Sequence, residues 1–168
     1  MRKPDLTRWT PPGFNVNAEA HFFIVGLAAS FLLSLTFIPG YSSARKCLYI
    51  TYQSTEKILM EGARMADFSE ILGFTLYGFY ILAICMLGMI IFHYIYHYKD
   101  SKSIYLMKRL PKSSELHKRC LALPITAFLI CIISAFVMLL VYFGIYMTFT
   151  PEQCIAPDQW QKIWRDLP

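Results

Sequence analysis

His93 and His97 stand four residues apart, a spacing that puts both imidazoles on one helical face, where they could hold a metal ion or a haem. No acidic residue accompanies them within their apolar block. They are interleaved instead with Phe92, Tyr94, Tyr96 and Tyr98, the mixture found in aromatic belts at a membrane–water boundary. No metal and no cofactor is therefore expected. The five cysteines add little. None has CxxC spacing. Cys85 and Cys131 read as small apolar side chains within membrane helices. Cys120 is expected on the cytoplasmic side, and Cys47 and Cys154 could form a disulfide. The chain has no GxxxxGK[ST] phosphate loop, GxSxG elbow or HExxH pair, so it carries no ATPase or hydrolase motif. It does not read as an enzyme.

The elements that position these residues follow from where the charges are. Of 168 residues, 56% are apolar and 16% charged, against roughly 25% charged in soluble chains. Three blocks, Phe22 to Ile38, about Ile71 to Tyr96 and Leu121 to Phe149, contain no Asp, Glu, Lys or Arg. About 20 apolar residues of helix cross the ~30 Å hydrocarbon layer. The expected fold is all-α: an integral membrane protein with three transmembrane helices plus short amphipathic helices, forming a single membrane domain. The expected spans are 20–38, 70–98 and 123–149, with a loop at 99–122 and outer segments at 40–69 and 150–168. The basic N-terminal stretch leads into Trp9, Pro11, Pro12 and Gly13, unlike a signal peptide, so the first block reads as retained. Without Asp, Glu, Lys or Arg in the blocks, a proton- or ion-coupled carrier is disfavoured. Only His93 could replace such a group. Three helices are also too few to enclose a sizeable pathway, so a further membrane subunit or a homo-oligomer is expected.

Orientation follows from the loops. Residues 99–120 hold seven basic groups (Lys99, Lys102, Lys108, Arg109, Lys112, Lys118, Arg119) against Asp100 and Glu115. Short loops rich in Lys and Arg stay cytoplasmic. The expectation is a multi-pass cell-membrane protein with a cytoplasmic N-terminus and an extracytoplasmic C-terminus. The net charge of +5 is then mainly a topology signal, and no nucleic-acid partner is expected.

Along the chain, Asn15 or Asn17 can cap the first helix and Pro39–Gly40 can end it. Gly26, Ser30 and Ser34 form a small-xxx-small face for helix packing. Apolar or small residues from Ala44 to Met65 recur at three- and four-residue steps, which predicts a surface helix. Asp67 and Glu70 resemble a capping box opening the second span. Asp158 is placed near the cap of a tail helix with Trp160, Ile163, Trp164 and Leu167 on one interfacial face.

The loop KDSKSIYLMKRLPKSSELHKRCLALP is the least generic segment. Residues 101–110 can form a short helix that Pro111 stops, and Ser113 or Ser114 can cap the next one. The order Ser101–Ser103, Ile104–Leu106–Met107, Leu110–Pro111, then Ser113, Ser114 and Glu115 resembles the coupling loop in the first half of exporter-type ABC transporter permeases. The stretch SKSIYLMKRLP…ELHKRC also looks like that of small three-span membrane proteins of Firmicutes. Such permeases have six spans where this chain has three, and Lys99–Asp100 replaces the acidic residue that opens their loop. The resemblance implies a transmembrane subunit that docks an ATP-binding cassette subunit through residues 101–118. Ser103, Ile104, Tyr105, Met107, Lys108, Arg109, Leu110 and Glu115 would form the contact. The alternative is an accessory or regulatory membrane protein whose basic loop binds acidic lipid or a signalling partner. A membrane enzyme using His93, His97 and His117 is a third reading.

Overall fold

A computed structural model describes residues 16–52, 56–60, 62–99 and 114–166. Helix α1 (Val16–Ser34) turns tightly at Leu35–Thr36 into α2 (Phe37–Lys46). A two-stranded antiparallel hairpin follows, β1 (Tyr49–Tyr52) against β2 (Glu56–Leu59), in the register Tyr49↔Leu59. Then come the short α3 (Phe68–Leu72), α4 (Tyr77–Lys99), α5 (Ser114–Phe149), a 3-10 turn (Glu152–Cys154) and α6 (Gln159–Asp166). Three segments, Val16–Lys46, Tyr77–Ile95 and Cys120–Phe149, are helical, long and apolar enough to cross a membrane. The protein is an all-α membrane protein with one small hairpin.

Four local expectations change. The helical stripe between Ala44 and Met65 does not make one helix, because α2 stops at Lys46 and Tyr49–Ile50–Thr51–Tyr52 enters a strand. Aromatic and β-branched residues in sequence favour the pleated surface. Pro39–Gly40 does not end a helix but lies in the first turns of α2, where a missing proline N–H costs no intrahelical bond. The second membrane helix does not start at Asp67. Gly73 has φ +39°, a conformation that disfavours residues with a Cβ, and it separates α3 from α4. Finally, Cys47 is exposed, Cys154 is buried and both are free.

By Cα proximity the described residues form two compact units: those of Met1–Ser30 with Phe79–Ala135, and those of Phe31–Gly78 with Phe136–Pro168. The core of the first is built from Leu82, Ala83 and Met86 on α4 and Ala127 and Cys131 on α5, flanked by Phe23, Leu27 and Phe128.

The second unit is organised by rings. Phe37 stacks on Tyr142 with centroids 4.4 Å apart. Phe68 meets Phe143 and Tyr146 edge-on at 5.4 and 5.5 Å. The phenols are satisfied: Tyr142 donates to Ser34 O and Oγ at 2.7 and 2.9 Å, and Tyr146 donates to Ala66 O at 3.1 Å. Buried tyrosines need such partners, because a phenol left unpaired in an apolar setting is costly. Helix α6 closes this unit. Gln159 Oε1 accepts from Phe68 N at 2.9 Å and its Nε2 donates to Asp67 Oδ1 at 2.9 Å. Lys162 Nζ donates to both Asp67 oxygens at 2.9 and 2.8 Å.

Candidate functional site

The site begins with a histidine in a helix otherwise built for lipid. His93 lies on the inward face of α4, which Phe79, Leu82, Ala83 and Met86 also share. Its side chain is fully buried, as is that of Glu19, and Glu19 Oε2 stands 3.2 Å from His93 Nε2. Glu19 is the fourth residue of α1, where the partial positive charge of the helix start favours a carboxylate. On its other side, His93 Nδ1 is 3.1 Å from the carbonyl oxygen of Cys120 on α5. One imidazole thus joins three helices.

The α5 sequence explains why that carbonyl is available. Pro124 sits inside the helix and is fully buried. Proline has no N–H, so the carbonyl four residues earlier loses its usual helical donor. That carbonyl belongs to Cys120. His93 replaces the missing donor.

The protonation pattern then follows from valence. A carbonyl oxygen only accepts, so His93 Nδ1 carries a proton. Nε2 and the Glu19 carboxylate face each other at 3.2 Å, and two lone pairs at that distance would repel. One proton between them removes the conflict, on either the ring or the acid. Neither Glu19 oxygen has a hydrogen-bond partner among the described residues, and Oε2 stands at ion-pair distance from the ring. All three groups lie at one end of the apolar helices: Glu19 is in the first turn of the first, His93 two residues from the end of the second, and Cys120 at the start of the third. Among the described residues no three His, Cys, Asp or Glu side chains gather as a metal site would need.

Comparison with known protein families, curated proteins and solved structures finds no match to this chain. Function has to be argued from the residues.

Of the coupling-loop positions, Ser103, Ile104, Tyr105, Met107, Lys108, Arg109 and Leu110 lie outside the described residues. Glu115 belongs to the first turn of α5. Gly26 faces α4 so closely that an added Cβ would stand 2.6 Å from Leu82 Cδ1. Ser30 is buried and donates to Gly26 O at 2.8 Å. Ser34 is buried and receives the Tyr142 hydroxyl.

Glu19 corrects the sequence reading, which left the apolar segments without an acidic group. It is buried inside α1 because that helix begins at Val16 and not near residue 20. The signal was present: a cap at Asn15 or Asn17 already places Glu19 in the helix. His93 therefore has an acidic partner, drawn from another helix and not from its own.

Proposed function

We propose that this chain is a non-catalytic transmembrane subunit of an ABC-type export complex, coupled to a separate ATP-binding subunit through the cytoplasmic loop at residues 101–118. The observation that carries the reading is the tie between the helices flanking that loop. His93, near the end of α4, is hydrogen-bonded to Cys120, near the start of α5. Both helices run directly into the loop. A force on the loop would therefore reach both spans together, as coupling through a rigid element requires. The loop sequence supplies apolar contacts in Tyr105, Met107 and Leu110 and charged ones in Lys108 and Arg109. The chain holds no phosphate-binding loop of its own, so ATP hydrolysis belongs to the partner.

The test is gentle purification of the tagged full chain from its native host, followed by mass spectrometry. Stoichiometric recovery of an ATP-binding cassette subunit, lost on Leu110→Asp, is the expected result. Recovery of the chain alone, as a monomer or homo-oligomer, would overturn the reading.

The seven basic groups of residues 99–120 favour a second reading, an accessory membrane protein whose loop binds acidic lipid headgroups. It expects Lys108→Glu with Arg109→Glu to weaken binding to acidic liposomes in a protein that brings no ATPase with it.

A further inference from the structure

We propose that Glu19 and His93 form an intramembrane proton-binding site that holds one shared proton and closes α1, α4 and α5 on one another while it does so. The proposal stands apart from the ATP-binding partner and would survive its loss.

Three observations carry it. Both side chains are fully buried and 3.2 Å apart. The Cys120 carbonyl, left free by Pro124, fixes the ring so that Nδ1 is a donor and Nε2 faces the acid. Both Glu19 oxygens are buried without a hydrogen-bond partner among the described residues, so the carboxyl group has room for a second proton. Glu19 from α1 and the Cys120 backbone from α5 both face the imidazole. His21, the other titratable group near the start of α1, is exposed.

The proton balance gives three states. With one proton between Oε2 and Nε2, the pair has no net charge, whether written as carboxylate and imidazolium or as carboxylic acid and imidazole. Removing it leaves a buried carboxylate against a nitrogen lone pair, with net charge −1. Adding a second proton, taken from water and placed on the carboxyl group, leaves a buried imidazolium beside a neutral acid, with net charge +1. An unbalanced charge is costly in a buried apolar setting. Only the one-proton state suits the closed arrangement, so both acid and alkali should open it. The site lies at the end of the spans from which residues 99–119 emerge, so protons could enter from that side.

The test uses the full chain in lipid nanodiscs. His21→Gln, His97→Gln and His117→Gln together leave His93 as the one histidine for nitrogen-15 labelling. The expected spectrum shows a protonated Nδ1 throughout the folded range, and an Nε2 signal whose pH response changes when Glu19→Gln is added. An unprotonated Nδ1, or an Nε2 response identical with Glu and Gln at position 19, would overturn the site. A second measurement follows the thermal midpoint of the otherwise native chain. It should pass through a maximum and fall towards both acid and alkali, since either change leaves an unbalanced buried charge. Glu19→Gln with His93→Gln, an uncharged amide pair, should remove at least half of each fall. If the double variant keeps the wild-type profile, the proposal fails. If that variant does not fold, the labelled single-histidine chain still decides the question.

Discussion

At the scale of single residues, the chain repeatedly fills a backbone vacancy with a side chain from elsewhere. Pro124 leaves the Cys120 carbonyl without a helical donor, and His93 supplies one. The start of α3 leaves the Phe68 amide without an acceptor; Asp67 makes no capping bond, and Gln159 supplies the oxygen. Two predictions belong here. Pro124→Ala restores an N–H to compete for Cys120 O, so exchange of the His93 Nδ1 proton should quicken by about fivefold, the weight of a hydrogen bond of about 1 kcal/mol. The thermal midpoint should not fall, because alanine is the better helix former. A slower or unchanged exchange rate would show that proline does not prepare the contact. Gln159→Ala should cost about 1 kcal/mol, since it uncaps α3 and leaves a buried N–H unpaired. Asp67 adds a pH dependence of known sign. Hydrogen bonds from Lys162, then from Gln159, hold its carboxyl below the usual carboxylate range. Its contribution is complete above the ordinary carboxylate value and is lost as pH falls through the lowered one. Denaturation scans should therefore show Lys162→Met weakening the protein at neutral pH, by about 0.2–1 kcal/mol for a half-exposed pair, and the difference from wild type vanishing in strong acid. None of these partnerships was legible in the sequence. Each joins residues at least 27 positions apart, and neither spacing nor local propensity encodes such pairs.

Among the elements, the most hydrophobic side chains of α5 are not the ones that face inward. The buried positions of α5 run Cys120, Pro124, Ala127, Cys131, Ala135, Leu139, Tyr142 and Tyr146, at steps of three and four. Ile130, Ile133, Val137 and Leu140 between them are exposed. Lipid is as apolar as leucine, so a membrane helix gains nothing by turning its most hydrophobic face inward and packs through small or hydrogen-bonding residues. That is why the apolar blocks could be read from the sequence while their facing residues mostly could not. The Ala127–Cys131–Ala135 row on α5 has the same four-residue spacing of small side chains as Gly26, Ser30 and Ser34 on α1. Gly26 gives the test. Its missing side chain admits Leu82, whose Cδ1 would stand 2.6 Å from an added Cβ. Leu82 Cδ1 ends a flexible side chain and can turn aside, so Gly26→Ala should cost no more than about 1 kcal/mol. Gly26→Ile cannot be relieved that way and should cost about 1–3 kcal/mol, the range for overpacking a core. Equal midpoints for the two variants in detergent melts would mean that α1 and α4 are not held at this distance. The second span starts at Tyr77, later than its apolar block, for a different reason. Gly73 breaks the helix by its positive φ, and an isolated glycine inside an apolar run reads equally well as a packing residue.

For the molecule as a whole, charge is the remaining guide, because three apolar helices with exposed Ile24, Ile84 and Ile133 require a bilayer without choosing a direction through it. The direction proposed above rests on residues 99–120, whose excess of Lys and Arg would keep them on the cytoplasmic side during insertion. On that proposal, one crossing in each direction would put Cys47 and the residues after Thr150 on the opposite side. Cys47 is exposed just beyond α2, so the protein carries its own reporter. In intact cells, a membrane-impermeant maleimide should label the wild-type chain, and Cys47→Ala should abolish that labelling. Lys112→Cys placed in the Cys47→Ala chain should react only after the membrane is opened. The reverse pattern would put the basic loop outside, beyond the reach of any ATP-binding subunit in the cytoplasm. The same experiment also bears on the proton site. Glu19, His93 and Cys120 share the loop end of the spans, so the labelling decides whether that site would answer to the pH of the cell or to that of its surroundings.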